Sequence, residues 1–208
     1  MRLFVNLICL ILVLTPCSTK AMGLKGAGVL LGGSWMNQEY EYTDDWEFPS
    51  PADEGIPGFV FGAFSTIDLT HHLSASIEAL YVRKGFEWTY IATDENGQLL
   101  GERTDVFAAP YLSIPVTLRF ELESKRVNPY CCAGIGVETR LSDGDFGYFD
   151  SFNSVNLSGQ FGLGVTWQRF GFDVRYVRDL TSAADGTDYL KSVTNDGVLA
   201  ALTFAIWQ

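Results

Sequence analysis

The sequence predicts an all-β protein: an eight-stranded antiparallel up-and-down transmembrane β-barrel that follows an N-terminal signal peptide. Three observations carry that expectation. Eight stretches alternate apolar and polar residues with a period of two, and no window after Ala21 sustains a helical period over three turns. The connections between these stretches alternate strictly between long and short, the layout of a barrel with loops on one rim and turns on the other. The composition agrees: 14% of the 208 residues are aromatic, 21 are glycine and only 19% are charged, against roughly 25% charged in ordinary soluble domains.

The first segment concerns targeting. Residues 1–22 run from Arg2 through an apolar stretch, Leu3 to Leu14, into small and polar residues. This is the pattern of a secretory signal peptide, and the apolar stretch is too short to span a bilayer as a helix, which takes about 20 residues. Cleavage is expected after Ala21, with Thr19 as the small residue two positions earlier. Lipidation at Cys17 is disfavoured by Pro16, where a small flexible residue is expected. The expected division is a signal peptide at 1–21 and a barrel at 22–208. Removing residues 1–21 takes away Arg2 and Lys20 but no acid, so a net charge of −11 becomes −13.

The expected strands follow in order. The first two, 24–36 and 57–68, carry Trp35 and Phe59 on their outward phase near the loop rim. The third, 73–91, places Leu73, Ala75, Ile77, Ala79 and Tyr81 on one face, after which Phe86, Trp88 and Tyr90 fall on the other. A bulge near Gly85, or a strand projecting beyond the bilayer, would account for that switch. The fourth, 104–121, sets Val106, Ala108, Pro110, Leu112, Ile114, Val116, Leu118 and Phe120 against Tyr111, Ser113, Thr117, Arg119 and Glu121. The fifth, 128–141, contains Cys131 and Cys132, which as strand neighbours point to opposite faces and do not form a disulfide scaffold. The sixth, 153–168, sets Val155, Leu157, Phe161, Leu163, Val165 and Trp167 against Asn156, Ser158, Gln160, Thr166 and Gln168. The seventh and eighth, 171–179 and 193–207, carry Phe172, Tyr176 and Phe204 outward.

Alternation alone fits both a soluble lipocalin-like barrel with an apolar interior and a membrane barrel with an apolar exterior. The connections favour the membrane barrel. The long ones, 37–56, 92–103, 142–152 and 180–192, hold acids such as Glu39, Glu41, Asp44, Asp45, Glu47, Asp143, Asp145 and Asp150. The short turns, Leu69–His72, Leu122–Val127 and Arg169-Phe170, carry His71, His72, Lys125, Arg126 and Arg169. Outward aromatics gather near both strand ends, as two interfacial girdles require: Trp35, Phe59 and Tyr176 at one, Phe120, Trp167, Phe172 and Phe204 at the other. The acidic balance and the lack of a Lys/Arg stripe exclude nucleic acid as a partner class.

The run GFVFGAFSTIDLTHHLSASIEALYVRKGFEW, with YLSIPVTLRFEL, NPYCCAGIGVETRL and FGLGVTWQRFGFDVRYVRDL, resembles the PorT-like outer-membrane β-barrel family. The resemblance covers most of residues 24–207 and is carried most specifically by E-A-L-Y-V-R-K-G, Y-L-x-I-P and N-P-Y-x-x-A-G-x-G. It implies an eight-stranded barrel in the outer membrane of a Gram-negative-type bacterium, with outer-membrane lipid as its surroundings. It implies location more firmly than role, since a few members assist protein secretion. The chain departs from the usual terminal aromatic, because Gln208 follows Trp207.

Glu78, Lys84, Arg119, Glu121, Glu138, Arg140, Asp173 and Arg175 fall on the expected lumen phase of four strands. Buried charges are expensive unless paired. Because an eight-stranded interior only just accommodates its own side chains, an ion-pair plug is expected rather than an ion path. Tyr40, Tyr42, Trp46 and Phe48 interleave with acids in the first long loop and form the candidate contact surface, for an extracellular or envelope protein partner. His71 and His72 lie in a short turn with only Asp68 and Ser74 nearby, so no catalytic set is assembled and no enzyme is expected. The acids of D-G-D-F-G-Y-F-D, 143–150, lack the fifth-position acid and the twelfth-position Glu of an EF-hand loop. No metal or cofactor is expected. The leading reading is a non-enzymatic barrel of structural or surface-interaction type; the alternatives are a narrow pore or transporter, and a secretion-accessory barrel.

Overall fold

The computed structural model describes residues 23–42, 53–93, 98–122, 124, 126–142, 155–182 and 190–207. The expected signal peptide, Trp46, Phe48 and the 143–150 acids lie outside the described residues. Eight antiparallel strands succeed one another: β1 Gly23–Tyr42, β2 Asp53–Asp68, β3 Leu73–Thr93, β4 Leu99–Glu121, β5 Asn128–Arg140, β6 Val155–Trp167, β7 Phe170–Asp179 and β8 Leu190–Trp207. Each pairs with its sequence neighbours, and β1 also pairs with β8, so the sheet closes into a barrel. Closure removes the free edges that a membrane could not solvate.

The period-two alternation sorts the two faces as a lipid-embedded barrel requires. On β4, Tyr111, Ser113, Thr117, Arg119 and Glu121 are buried, while Val116, Leu118 and Phe120 face outward. The exterior is apolar elsewhere too: Leu31 is 66% exposed, Ile135 64%, Leu163 69% and Leu202 63%. Such a surface is stable against hydrocarbon and not against water. Rings extend it, with Tyr81 stacked 5.4 Å from Phe59 and 4.9 Å from Phe61 toward the loop rim. Phe170 lies 5.2 Å from Phe204 and 6.5 Å from Trp167 at the turn rim.

Several strands run further on the loop side than expected. β1 continues through Tyr42 rather than stopping near residue 36, β2 starts at Asp53, β4 at Leu99 and β8 at Leu190. Residues 37–42 and 53–56 of the expected first long loop are therefore strand, as are 99–103 of the second. The physical reason is solvation. Beyond the hydrocarbon both faces meet water, so the apolar period fades, yet the backbone ladder still pairs Glu39 with Thr194 and Tyr90 with Arg103.

The phase switch in β3 falls where its pairing with β2 slips, between Val60↔Val82 and Gly55↔Phe86, a span that includes Gly85. Its register against β4 is constant through Lys84↔Ala109, Gly85↔Ala108 and Phe86↔Phe107, so no bulge interrupts that pairing at Gly85. The irregularity in this region belongs to the β2–β3 pairing, between Gly55 and Val60. At the opposite rim the tightest turn is Gln168-Arg169, because Phe170 already belongs to β7. Gln168 adopts φ 51, an uncommon conformation for a residue with a Cβ.

Candidate functional site: the barrel lumen

The inward phase of the strands stacks side chains in layers from the turn rim to the loop rim. On β3 the inward order is Ser74, Ser76, Glu78, Leu80, Val82 and Lys84, and on β7 it is Asp173, Arg175, Val177 and Asp179. Two charged layers thus bracket an apolar one.

At the turn-side mouth, Glu121 accepts hydrogen bonds from Lys25 Nζ at 2.6 Å and Ser74 Oγ at 3.0 Å. The same ammonium lies 3.3 Å from Asp68. Above it sits the first buried cluster. Arg175, fully buried, donates Nη1 and Nη2 to the two Glu78 oxygens at 2.7 and 2.9 Å. It also donates Nε and Nη2 to the two Asp173 oxygens at 2.8 and 3.0 Å. Arg119 Nη2 adds a bond to Glu78 Oε1 at 3.0 Å, and the Tyr130 hydroxyl donates to Asp173 Oδ2 at 3.0 Å. The Arg119 guanidinium also lies over the Tyr130 ring, 5.1 Å from its centroid. Arg175 therefore meets both carboxylates through forked contacts, the geometry for which a planar guanidinium is suited, and Arg119 adds a single bond to one of them.

Glycines on β6 make room for this layer. A Cβ on Gly162 would stand 2.8 Å from Arg175 Cγ and 2.4 Å from the Val174 carbonyl oxygen, and one on Gly164 would stand 2.4 Å from Tyr130 Cζ.

The middle layer is formed by Leu30, Met36, Val60, Leu80, Val82, Val177, Leu199 and Ala201, all buried. Beyond it Lys84 makes an ion pair with Glu138 and lies 3.5 Å from Asp179 Oδ1. Ser113 Oγ donates to Glu138 at 3.3 Å. Asn195 donates its backbone N–H and its Nδ2 to Asp179 Oδ2 at 3.1 and 2.6 Å, and Gln38 Nε2 donates to Asn195 Oδ1 at 3.2 Å. Lys84 also sits over the Tyr111 ring, 5.4 Å from its centroid.

The lumen-phase residues are thus distributed unevenly. Glu78, Arg119, Asp173 and Arg175 meet in one cluster, Lys84 and Glu138 in another, and Glu121 stands apart with Lys25. Arg140 is half-buried at the end of β5, opposite Tyr111 in register. Tyr40 and Tyr42 belong to β1, with side chains outside the described set. His71 and His72 are exposed in the β2–β3 turn with their rings 5.0 Å apart. Cys131 faces outward and Cys132 is buried, both as free thiols.

Sequence reasoning missed Asp179, Asn195, Tyr130, Gln38 and Lys25. For Asp179 the signal was present, since it continues the inward phase of Asp173 and Arg175. For Tyr130 the signal was Gly164, which leaves the wall bare opposite a long side chain.

Comparison with known proteins agrees with this architecture. The family model described as "Outer membrane protein beta-barrel domain" matches residues 34–185. No curated protein sequence matches the chain. Among solved structures, Neisserial surface protein A (NspA) superposes with a TM-score of 0.50 at 14% identity, covering 88% of this chain and 98% of that one. The outer membrane enzyme PagL also superposes with a TM-score of 0.50 at 14% identity, covering 86% of this chain and 99% of that one. At such identities the likeness is one of fold.

Proposed function

This chain belongs to the outer membrane protein beta-barrel domain family, and we propose that it is a non-conducting, non-enzymatic barrel acting through its loop-side surface. One observation carries the reading: the apolar layer around Leu80, Val82, Val177 and Leu199 lies between two buried ion-pair layers. An ion crossing this layer would leave water for a stretch that holds no charged side chain and few polar groups, such as Gln160 and Ser34, which is costly in a low-dielectric interior. The charged side chains on either side hold one another and act as a plug. Because one fold neighbour is an enzyme by name, the fold leaves chemistry open. The non-enzymatic reading rests instead on the buried acids and bases, which are tied to each other rather than convergent on a reaction site.

Planar-bilayer recording of the purified barrel tests the plug. We expect no discrete conductance steps; steady, ion-selective steps would overturn the reading in favour of a narrow pore.

In the same reading the chain is exported by its signal peptide to the outer membrane of a Gram-negative-type bacterium. The loop-side rim faces outward and offers Tyr40 and Tyr42 at the end of β1, with Trp46 and Phe48 beyond it, to an extracellular or envelope protein. The short turns face the periplasm. Support comes from the partition of loop length and charge between the rims. Single cysteines, Asp45→Cys and Ser124→Cys in a background lacking Cys131 and Cys132, report the orientation. Labelling of intact cells should occur at position 45 alone, and labelling at 124 alone would invert the topology.

A further inference from the structure

We propose that the turn-side mouth of the barrel is a binding cup for a small oxyanion, a phosphate-bearing or polycarboxylate molecule of the compartment that this rim faces. The mouth encloses a cavity of about 430 Å³, within the roughly 300–1,000 Å³ span of small-molecule sites. It is blind, because the Arg175–Glu78–Asp173 cluster and the apolar layer lie beyond its floor.

Charge gives the cup its sign. Lys25, Arg119, Arg126 and Arg169 line it, with Glu121 as the acid among the lining residues. Lys25 is neutralised locally by Glu121 and Asp68, and Arg119 is engaged with Glu78. Arg126 and Arg169 remain, both exposed, and among the described residues neither has a carboxylate partner.

The second observation lies at the floor, where Arg119, 6% exposed, has its Nε buried without an acceptor. A buried donor left unmade is costly. An oxyanion entering from the rim would meet the Arg119 guanidinium, which lines the floor, below and two guanidinium forks above. Forked, charge-assisted donors favour carboxylate and phosphate oxygens over neutral ligands. Neutral polar groups on the wall, Asn128, Thr166 and Thr203, would serve a ligand's hydroxyls.

The test is calorimetric titration of the folded full-length barrel in detergent micelles, at low ionic strength, with inorganic pyrophosphate and with citrate. One site per barrel is expected, weakened at least tenfold in the double variant Arg126→Gln/Arg169→Gln. Both side chains are exposed, so the variant should fold, and its heat-modifiability on gels verifies that it has. Arg103→Gln, which removes a cation from the loop-side end of β4, should leave affinity within about twofold, the change expected of a screened distant charge. Tighter binding of pyrophosphate assigns the cup to phosphate-bearing molecules and tighter binding of citrate to polycarboxylates; either supports the cup. Absence of binding by both probes overturns the proposal. So does an equal loss in Arg103→Gln and in the folded double variant, because binding would then report net charge alone.

Discussion

The two charged layers of the lumen use similar residues to different effect. The turn-side layer balances Arg119 and Arg175 against Glu78 and Asp173, and its central guanidinium makes four bonds of 2.7 to 3.0 Å to two carboxylates. The loop-side layer sets one ammonium, Lys84, between Glu138 and Asp179, with Asn195 and Ser113 supplying the missing donors. A planar fork fixes direction as well as charge, whereas an ammonium is a compact point charge on a flexible stem. The turn-side layer therefore fixes which strands face each other across the lumen, by linking β7 to β3. The loop-side layer depends more on neutral amides, and its described ion pairs set one base, Lys84, between two acids.

The largest effect should follow loss of the fork. Arg175→Met keeps most of the volume but leaves Glu78 with Arg119 alone and Asp173 with the Tyr130 hydroxyl alone. Breaking a buried pair by removing one partner typically costs about 3–5 kcal/mol. The heat-modifiability transition on gels should fall steeply, or the barrel should fail to fold. A variant melting like the wild type would show that the guanidinium does not organise the layer.

Arg119→Met should cost less, about 1–3 kcal/mol for one charge-assisted bond, because Glu78 keeps both contacts to Arg175. The ratio of the two losses, read from the same gels, measures how far Glu78 is shared. Equal losses would make Arg119 as central as Arg175 and contradict the geometry.

Gly164→Ala probes the wall behind the same layer. Its Cβ would stand 2.4 Å from Tyr130 Cζ, so the ring must move and release Asp173. Overpacking of this kind costs about 1–3 kcal/mol. Pairing it with Tyr130→Leu should recover part of the loss, and no recovery in the double variant would place the clash elsewhere.

Which of these contacts were legible beforehand depended on which solvent selected the residues. Along β4 the outward run from Val116 to Phe120 could be read directly, because hydrocarbon tolerates little else on that face. The ends of β1, β2, β4 and β8 could not, since above the bilayer both faces are wet and polar residues satisfy either. The lumen charges were legible as inward residues. Strand order, which sets Arg119 between the strands of Glu78 and Glu138, made its pairing with one of those acids legible too; the pairing of Arg175 across the interior was not. Arg119 stands opposite Ser74 and Cys132 in register, yet bonds Glu78, while Arg175 stands opposite Leu199 and Gly162 and reaches the same acid across the interior. Strand adjacency constrains direct neighbours. Contacts through the lumen depend on the stagger of the closed barrel and on gaps such as Gly162, which no local pattern in a single strand encodes.

The smallest effect, of opposite sign, should come from the loop-side layer. Lys84 has its close partner in Glu138, and the Asp179 oxygen nearest it lies 3.5 Å away. Asp179→Asn removes the second buried charge and its repulsion with Glu138, while its amide oxygen can still accept from Asn195. The lost attraction to Lys84 is the weaker of the two, so the balance should lie between no change and a gain of about 1 kcal/mol, as when a poorly compensated buried charge is replaced by a neutral group. Glu138→Gln removes the close partner instead and should destabilise. The informative quantity is the difference between these variants in one melting series. If Asp179→Asn melted as far below wild type as Arg175→Met, both lumen layers would depend on charge pairing in the same way, and the contrast between fork and point charge would fail.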